Sequence, residues 1–499
     1  MEQDRQCIIR PKQQPHQIWY IYLRQNLCYY IGNYTDNFSA LIPGIKECEQ
    51  AVHSRNNYRL TPAQFIAVSF LLVITLGTLL LMLPCATAGS GSAPLLDALF
   101  TATSATCVTG LVVHDTATYW SMFGHLVIMI LMQTGGMGVM TIAISFVMLS
   151  GRKIGLKQRW AMQEALSAPQ VGGIIHITRF IVTAAIIIEA TGAALLALRF
   201  CPQYGLLRGL WYAVFHSVAA FCNSGFDLMG INSPFSSLTG YSGDLLVNLT
   251  VTLLVLLGGI GFLVWHDLYT NRRNLHYCML QTKLIVCTIS AVIALTFLYY
   301  MLYEFNQPQW AHLSLQEKLL AAFFQSASSR TSGFCTLDYT NMSEGGLLLT
   351  IAAMMIGGAP GSTAGGFKVT TMAVLLLSMV AVFRHQENAN CFGRRIGHDV
   401  LRSASAIFML YMLLFWLGGF LICSIEDIPM LTAMFESASA VGTVGLSLGI
   451  TPELSSLSRL IIIMQMYFGR VGGLTMIYAM TIKYTNTHWK YPEERVFVG

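Results

Sequence analysis

Six stretches of the chain, residues 60–96, 116–151, 245–266, 284–303, 345–367 and 403–425, contain no Lys, Arg, Asp or Glu. Each exceeds the roughly 18 apolar residues that mark a candidate membrane-spanning helix. Shorter apolar segments lie between long ones, such as 95–107 and 429–441. At about 1.5 Å rise per residue they cannot cross a hydrocarbon core of about 30 Å. The pattern predicts an all-α integral membrane protein in which long spans alternate with short re-entrant pore helices.

A repeat organises these segments. FTATSATCVTGL starts at Phe100, FHSVAAFCNSGF at Phe215, FFQSASSRTSGF at Phe323 and FESASAVGTVGL at Phe435. Each phenylalanine stands ten residues before a glycine, and the glycines, Gly110, Gly225, Gly333 and Gly445, are 115, 108 and 112 residues apart. A long apolar span precedes each motif, at 62–84, 174–198, 284–303 and 403–424, and another follows, at 126–149, 245–266, 346–381 and 460–482. The expected organisation is four pseudo-symmetric membrane-pore-membrane repeats around one central ion pore. A cytoplasmic amino-terminal extension covers 1–59, the repeats cover 60–150, 151–267, 268–384 and 385–485, and a cytoplasmic carboxy-terminal tail covers 486–499. The phenylalanines are expected to anchor the pore helices by packing.

Four loops facing one axis suit ion coordination, because backbone carbonyls replace the hydration shell of an alkali cation and glycine lets the chain aim them inward. The candidate filter is Thr106, Cys107, Val108, Thr109 and Gly110; Phe221, Cys222, Asn223, Ser224 and Gly225; Ser329, Arg330, Thr331, Ser332 and Gly333; and Val441, Gly442, Thr443, Val444 and Gly445. The second spans carry their own glycine-rich stretches, QTGGMGV, LLGGIGF, MIGGAPG and FGRVGGL. In the first two repeats these glycines serve either helix packing or a special backbone. In the third, IGGAPGSTAGGFK at 356–368 holds Gly357, Gly358, Pro360, Gly361, Gly365 and Gly366 and is ill suited to a continuous helix. It predicts a broken span whose loop is either a gate below the filter or a passive flexible break.

Arg470 lies inside the last apolar span, where a charge is costly unless it faces water or polar groups. It is expected either to form a barrier or gate partner in the pore or to pair with Glu189 in the first span of the second repeat, at 174–198. Lys368, at the end of the loop, is read as a gate element or as a side chain reaching the interface. His114 and Asp115, with Asp227, either shape the outer mouth or sit in solvated loops.

Composition agrees with this class: 54% of the 499 residues are hydrophobic and 11% charged, where soluble domains carry about 25% charged residues. The net charge of +5 does not read as nucleic-acid binding, because the basic residues gather in particular connections: Arg152, Lys153, Lys157 and Arg159; Arg272, Arg273 and Lys283; and Arg384, Arg394, Arg395 and Arg402. The positive-inside rule places these connections and both termini in the cytoplasm, with lipid as the surrounding partner. Twelve cysteines, mostly dispersed singly, form no metal-binding or Cys-X-X-Cys pattern and read as packing residues. No acid, base or nucleophile constellation supports an enzyme.

With FCNSGF, SSRTSGF, IGGAPGSTAGGFK and FGRVGGLT in order, residues 60–485 resemble the Ktr/Trk/HKT superfamily of potassium transporters, and most closely the bacterial Ktr-type pore subunit. The resemblance implies passive potassium conduction, an intramembrane loop at 356–368 obstructing the filter, and a pore arginine at Arg470. Glycine rather than serine at Gly110 implies potassium selectivity. It further implies a homodimer in the bacterial inner membrane and a cytosolic nucleotide-binding regulatory ring on a separate subunit, so that K+ is cargo, Na+ a regulatory ion, and nucleotide bound only by the partner. A sodium/potassium-permeable channel and a sodium-coupled secondary transporter are the alternatives.

Overall fold

The protein is described from a computed structural model, which covers residues 61–480 apart from 90, 140, 143–144, 146–162, 164–173, 232 and 272–275. These belong to the unit Thr61–Gly499, the chain dividing after Leu60. The expected terminal segments 1–59 and 486–499 and the basic residues Arg152, Lys153, Lys157, Arg159, Arg272 and Arg273 lie outside the described residues.

Repeat 1 comprises α1 (Pro62–Leu81), α2 (Leu95–Cys107) and α3 (Met122–Met137). Repeat 2 comprises α4 (Ile174–Tyr204), α5 (Leu206–Phe221), α6 (Leu245–Gly259) and α7 (Phe262–Thr270). Repeat 3 comprises α8 (Leu280–Leu302), α9 (Leu315–Thr331), α10 (Glu344–Met355) and α11 (Val369–Phe383). Repeat 4 comprises α12 (His398–Glu426), α13 (Met430–Gly442), α14 (Ser456–Val471) and α15 (Gly473–Met480). The helices α1, α4, α8 and α12 are each long and apolar enough to cross a membrane. The pore helices α2, α5, α9 and α13 have 13, 16, 17 and 13 residues, too few for about 30 Å of hydrocarbon. A short antiparallel hairpin, β1 (Asn390–Cys391) with β2 (Arg394–Arg395), joins α11 to α12.

Local signals set the boundaries. At α1, Thr61 and Gln64 form a capping box, Thr61 Oγ1 accepting from the Gln64 amide at 3.2 Å and Gln64 Oε1 from the Thr61 amide at 3.0 Å. In every repeat the start of the second span is fastened to the end of the first. Ser121 Oγ donates to the Cys85 carbonyl at 2.5 Å. Arg199 Nε donates at 2.6 Å to Asp244, which caps α6. Glu304 Oε1 accepts the Ser343 amide and Glu426 Oε1 the Ser455 amide, both at 3.0 Å.

The alternative left open for the glycines of the first two repeats is answered by a special backbone at some of them, and the second span is broken in every repeat. The stretches 126–149, 245–266 and 460–482 are interrupted, α3 ending at Gly138 (φ 85°), α6 and α7 meeting at Gly261 (φ 99°) with a 90° bend, and α14 ending at Gly472 (φ 91°). These positive φ values are open to glycine and strained for other residues. One expectation is corrected in repeat 3, where Phe323 is half-buried and its neighbour Phe324 fills the core, whereas Phe100, Phe215 and Phe435 are wholly buried.

The core runs around the ring of repeats. One apolar cluster joins repeats 1 and 2 through residues such as Leu131 and Phe215, and another joins 4 and 1 through Phe70 and Met466. Repeats 3 and 4 meet through Tyr300 and Phe435, and 2 and 3 through Val264 and Ile285. Leu72, Leu79, Ile187, Leu298, Leu413 and Phe420 face outward along the long spans, as lipid contact requires. Cys85, Cys107, Cys201, Cys222, Cys287, Cys335, Cys391 and Cys423 are free thiols.

Candidate functional site

The four repeat glycines close into a ring. A β-carbon on Gly110 would lie 2.4 Å from the Ser224 carbonyl oxygen, and one on Gly225 would lie 2.6 Å from that of Ser332. One on Gly333 would lie 2.3 Å from the Val444 oxygen, and one on Gly445 2.1 Å from the Thr109 oxygen. Each glycine thus abuts the carbonyl of the residue preceding the next glycine, in the order 1, 2, 3, 4 and back to 1. All four have positive φ, 95°, 69°, 74° and 94°. Neither the space nor the backbone admits a side chain.

The pore helices deliver the chain to this ring. Val108, Asn223 and Thr443, each two residues before a glycine, are left-handed with φ of 59°, 59° and 52°. They turn the chain back over the last helical turn, where the Thr109, Ser224 and Val444 amides donate to the Ser104, Ala219 and Ser439 carbonyls at 2.8, 2.9 and 2.8 Å. Repeat 3 differs: α9 stays helical through Thr331, and Ser332 has φ −120°. The helix C-termini of all four repeats lead into the ring, bringing partial negative charge that favours a cation. The hydroxyls of Thr106, Thr109, Ser329, Thr331 and Thr443 are buried without a protein partner, which leaves them available to an ion or water. Cys107, Cys222, Arg330, Val441 and Gly442 are buried at the helix ends.

The second spans press on the base of the ring. Gly135, Gly258 and Gly469 stand where a β-carbon would come 1.9, 2.0 and 2.3 Å from the carbonyl oxygens of Thr106, Phe221 and Val441. Each of these carbonyls lies four residues before a ring glycine. The aligned next position is Gly136, Gly259 and, in repeat 4, Arg470. That glycine-to-arginine replacement was legible in the quoted motifs.

The segment 356–368 is non-helical and crosses beneath the ring. The Thr363 and Ala359 amides donate to the Gly258 and Gly259 carbonyls at 3.2 and 3.0 Å, and the Gly366 amide donates to Gly469 at 3.0 Å. Gly357 donates to the Phe367 carbonyl at 2.9 Å and Gly358 accepts from Val369 at 3.1 Å, closing the loop on itself, while Gly361 accepts from Phe262 at 2.8 Å. Pro360 lies beside Gly261 and Gly365 beside the Thr443 side chain. Thr363, which the sequence did not single out, reaches the loop that leads into the ring: its Oγ1 donates to the Phe221 carbonyl at 3.0 Å and meets the Asn223 amide group at 3.0 Å. Lys368 Nζ folds back on the loop, donating to Ala364 and Gly365 carbonyls at 2.8 and 3.3 Å.

Arg470 ties three repeats together. Its Nη1 donates to the Thr363 carbonyl, and its Nη2 to Gly135 and, at 3.0 Å, to Gly136. The alternative pairing with Glu189 is not formed, because Glu189 Oε2 accepts from Gln133 Nε2 at 3.2 Å instead. Three carbonyl dipoles partly offset the arginine charge without neutralising it.

On the opposite face of the ring, His114 pairs with Asp97 at 2.9 Å, and Arg459 joins Asp97 at 2.8 Å, linking repeats 1 and 4. Asp115 is buried rather than solvated, its two oxygens accepting the Thr118 and Phe235 amides at 3.0 Å each. Asp227 lies in the loop beyond Gly225, where burial, reinforced by the nearby Asp115 charge, pushes its carboxyl up to about 7.

The family described as TrkH, Cation transport protein, matches residues 44–490. The Ktr system potassium uptake protein B of Bacillus subtilis is 41% identical over 88% of this chain and 97% of its own length. The potassium/sodium uptake protein NtpJ of Enterococcus hirae is 37% identical over 88% and 98%. The crystal structure of the potassium transporter TrkH from Vibrio parahaemolyticus superposes with a TM-score of 0.66 at 17% identity, covering 93% of this chain and 91% of that one, a likeness of fold. Four registered repeats, a closed glycine ring and these matches lead to one conclusion: the chain belongs to the TrkH family of cation transport proteins.

Proposed function

We propose that this chain is the potassium-selective, ion-translocating subunit of a Ktr/Trk-type uptake system, conducting K+ passively through the glycine ring. The observation that carries the reading is the cyclic contact of Gly110, Gly225, Gly333 and Gly445, each against the carbonyl preceding the next. Such a ring presents main-chain oxygens to one axis from four directions, as dehydrated alkali cations need. The segment 356–368, held by Arg470 beneath the ring, acts as the gate: the loop obstructs the path and the guanidinium opposes a cation there.

Topology supports an outward-facing ring. The long spans lead into the pore helices, so Lys283 near the start of α8, Arg402 near the start of α12, and Arg384, Arg394 and Arg395 between α11 and α12 lie on the side away from the ring. Positive residues favour the cytoplasmic side. That side is where a nucleotide-binding regulatory ring docks on a homodimer of this chain, in a bacterial inner membrane. The relatives named as parts of a Ktr system support a multi-component assembly. The NtpJ name favours a second reading, in which Na+ also permeates.

The test is cation flux through purified protein in proteoliposomes, comparing K+, Rb+, Na+ and Li+. Preference for K+ and Rb+ is expected. Equal passage of all four, or preference for Na+, would overturn the selectivity assignment and favour the second reading.

A further inference from the structure

Behind the ring, each repeat has a polar side chain that ties its pore helix to the strand leaving the filter. In repeat 2, His216 Nε2 accepts the Leu228 amide at 3.3 Å while its Nδ1 donates to the Tyr212 carbonyl at 2.7 Å. In repeat 4, Glu436 Oε1 accepts the Leu448 amide at 3.3 Å, and its other oxygen accepts Thr451 Oγ1 at 3.1 Å. Leu228 and Leu448 each stand three residues beyond the ring glycine, and His216 and Glu436 each nine before it. In repeat 3, Gln325, in the amide orientation that satisfies its neighbours, accepts the Thr336 and Leu337 amides at 3.3 Å. Thr336 is again three residues beyond the glycine. Repeat 1 has no such acceptor among its described residues, and there His114, four beyond Gly110, is held by Asp97 at 2.9 Å. His216, Gln325 and Glu436 have no solvent exposure, and the bonds above spend their polar atoms on the protein rather than on an ion.

We infer that His216, Gln325, Glu436 and the Asp97–His114 pair are specificity-determining positioning residues, clamps on the exit strands that hold the carbonyl ring at the width and rigidity needed to distinguish K+ from Na+. Three unlike side chains meet an amide at the same place in three repeats, so what is shared is the acceptor and its position rather than the residue type. A strand amide left without that acceptor would be buried and unsatisfied, and the strand would shift to find a partner. The strand begins at the ring glycine, so the shift moves the carbonyls that abut the neighbouring repeat. A smaller Na+ is excluded only while those oxygens cannot close around it, or while their number and field are held constant; either account of selectivity needs a fixed strand.

This inference rests on the filter reading above, and the experiment separates the two. The Rb+ to Na+ permeability ratio is measured in proteoliposomes for the parent, Glu436→Gln, Glu436→Leu and His114→Ala. A parent that does not discriminate overturns the filter reading itself. With a discriminating parent, Glu436→Gln, which keeps a carbonyl acceptor, retains the ratio. Glu436→Leu, which strips the Leu448 amide and the Ser447 and Thr451 hydroxyls of their acceptor, lowers it by roughly tenfold or more, with the Rb+ rate itself reduced less. His114 is one-third exposed on its side chain, so His114→Ala leaves no sealed void and reports even where Glu436→Leu does not fold; it too lowers the ratio. An unchanged ratio in folded Glu436→Leu, or in His114→Ala should the leucine variant not fold, overturns the clamps while leaving the filter reading intact.

Discussion

A β-carbon at Gly258 would sit 2.0 Å from the Phe221 carbonyl oxygen, closer than any van der Waals contact allows, and the atom in the way is backbone. The second span approaches the base of the glycine ring only because this residue has no side chain. Gly258→Ala should therefore lower stability by about 2 kcal/mol through overpacking. Gly240→Ala, at an exposed glycine with nothing within 4 Å, should change it by less than about 0.5 kcal/mol. Thermal unfolding in detergent compares the two, and equal losses would contradict the close-approach argument. The ring glycines were legible in the sequence because a fixed phenylalanine-to-glycine spacing recurs. The clamps were not: His216, Gln325 and Glu436 differ in chemistry and do not share one offset from the glycine, so no single-letter pattern joins them. The Phe323 anchor was misplaced by one residue because both Phe323 and Phe324 fit an apolar pattern, and only packing decides which turns inward.

At the scale of elements, the sequence showed which segments were long and which short, since that depends on the number of uncharged residues. The interruptions in repeats 1, 2 and 4 were less visible. Their glycines suit either close packing or a break, and the structure uses them for both: Gly135, Gly258 and Gly469 for approach, Gly138, Gly261 and Gly472 for the turn. Only repeat 3, with its proline and long glycine run, reads as a break from sequence alone. Arg470 and the loop act as one element, because the arginine donates to the carbonyl of Thr363, whose side chain in turn holds the Phe221 carbonyl below the ring. Arg470→Ala should raise K+ flux roughly tenfold, the order of a lost charged hydrogen bond. Shortening 356–368 should do the same, and the double variant should gain less than the product of the two, since both release Thr363. Reconstituted flux on the three variants measures this coupling. Parental rates in folded protein would make the loop and arginine structural.

For the molecule as a whole, apolar clusters join each repeat to its neighbours around the ring, so no repeat packs alone and the path lies where all four repeats meet. Assembly beyond one chain is expected to follow the homodimer with a cytosolic nucleotide-binding ring. Mass measurement in mild detergent should give twice the chain mass, increasing when the soluble partner is added. A monomer whose full activity ignores nucleotide would contradict that assembly. The central claim is that the glycine ring itself discriminates among cations. The most direct measurement is the Rb+ to Na+ permeability ratio of Gly110→Ser, Gly225→Ser, Gly333→Ser and Gly445→Ser, one at a time. Each introduced β-carbon would lie between 2.1 and 2.6 Å from the next repeat's carbonyl, so the account predicts a lower ratio in every variant that folds. Parental ratios in all four folded variants would contradict it.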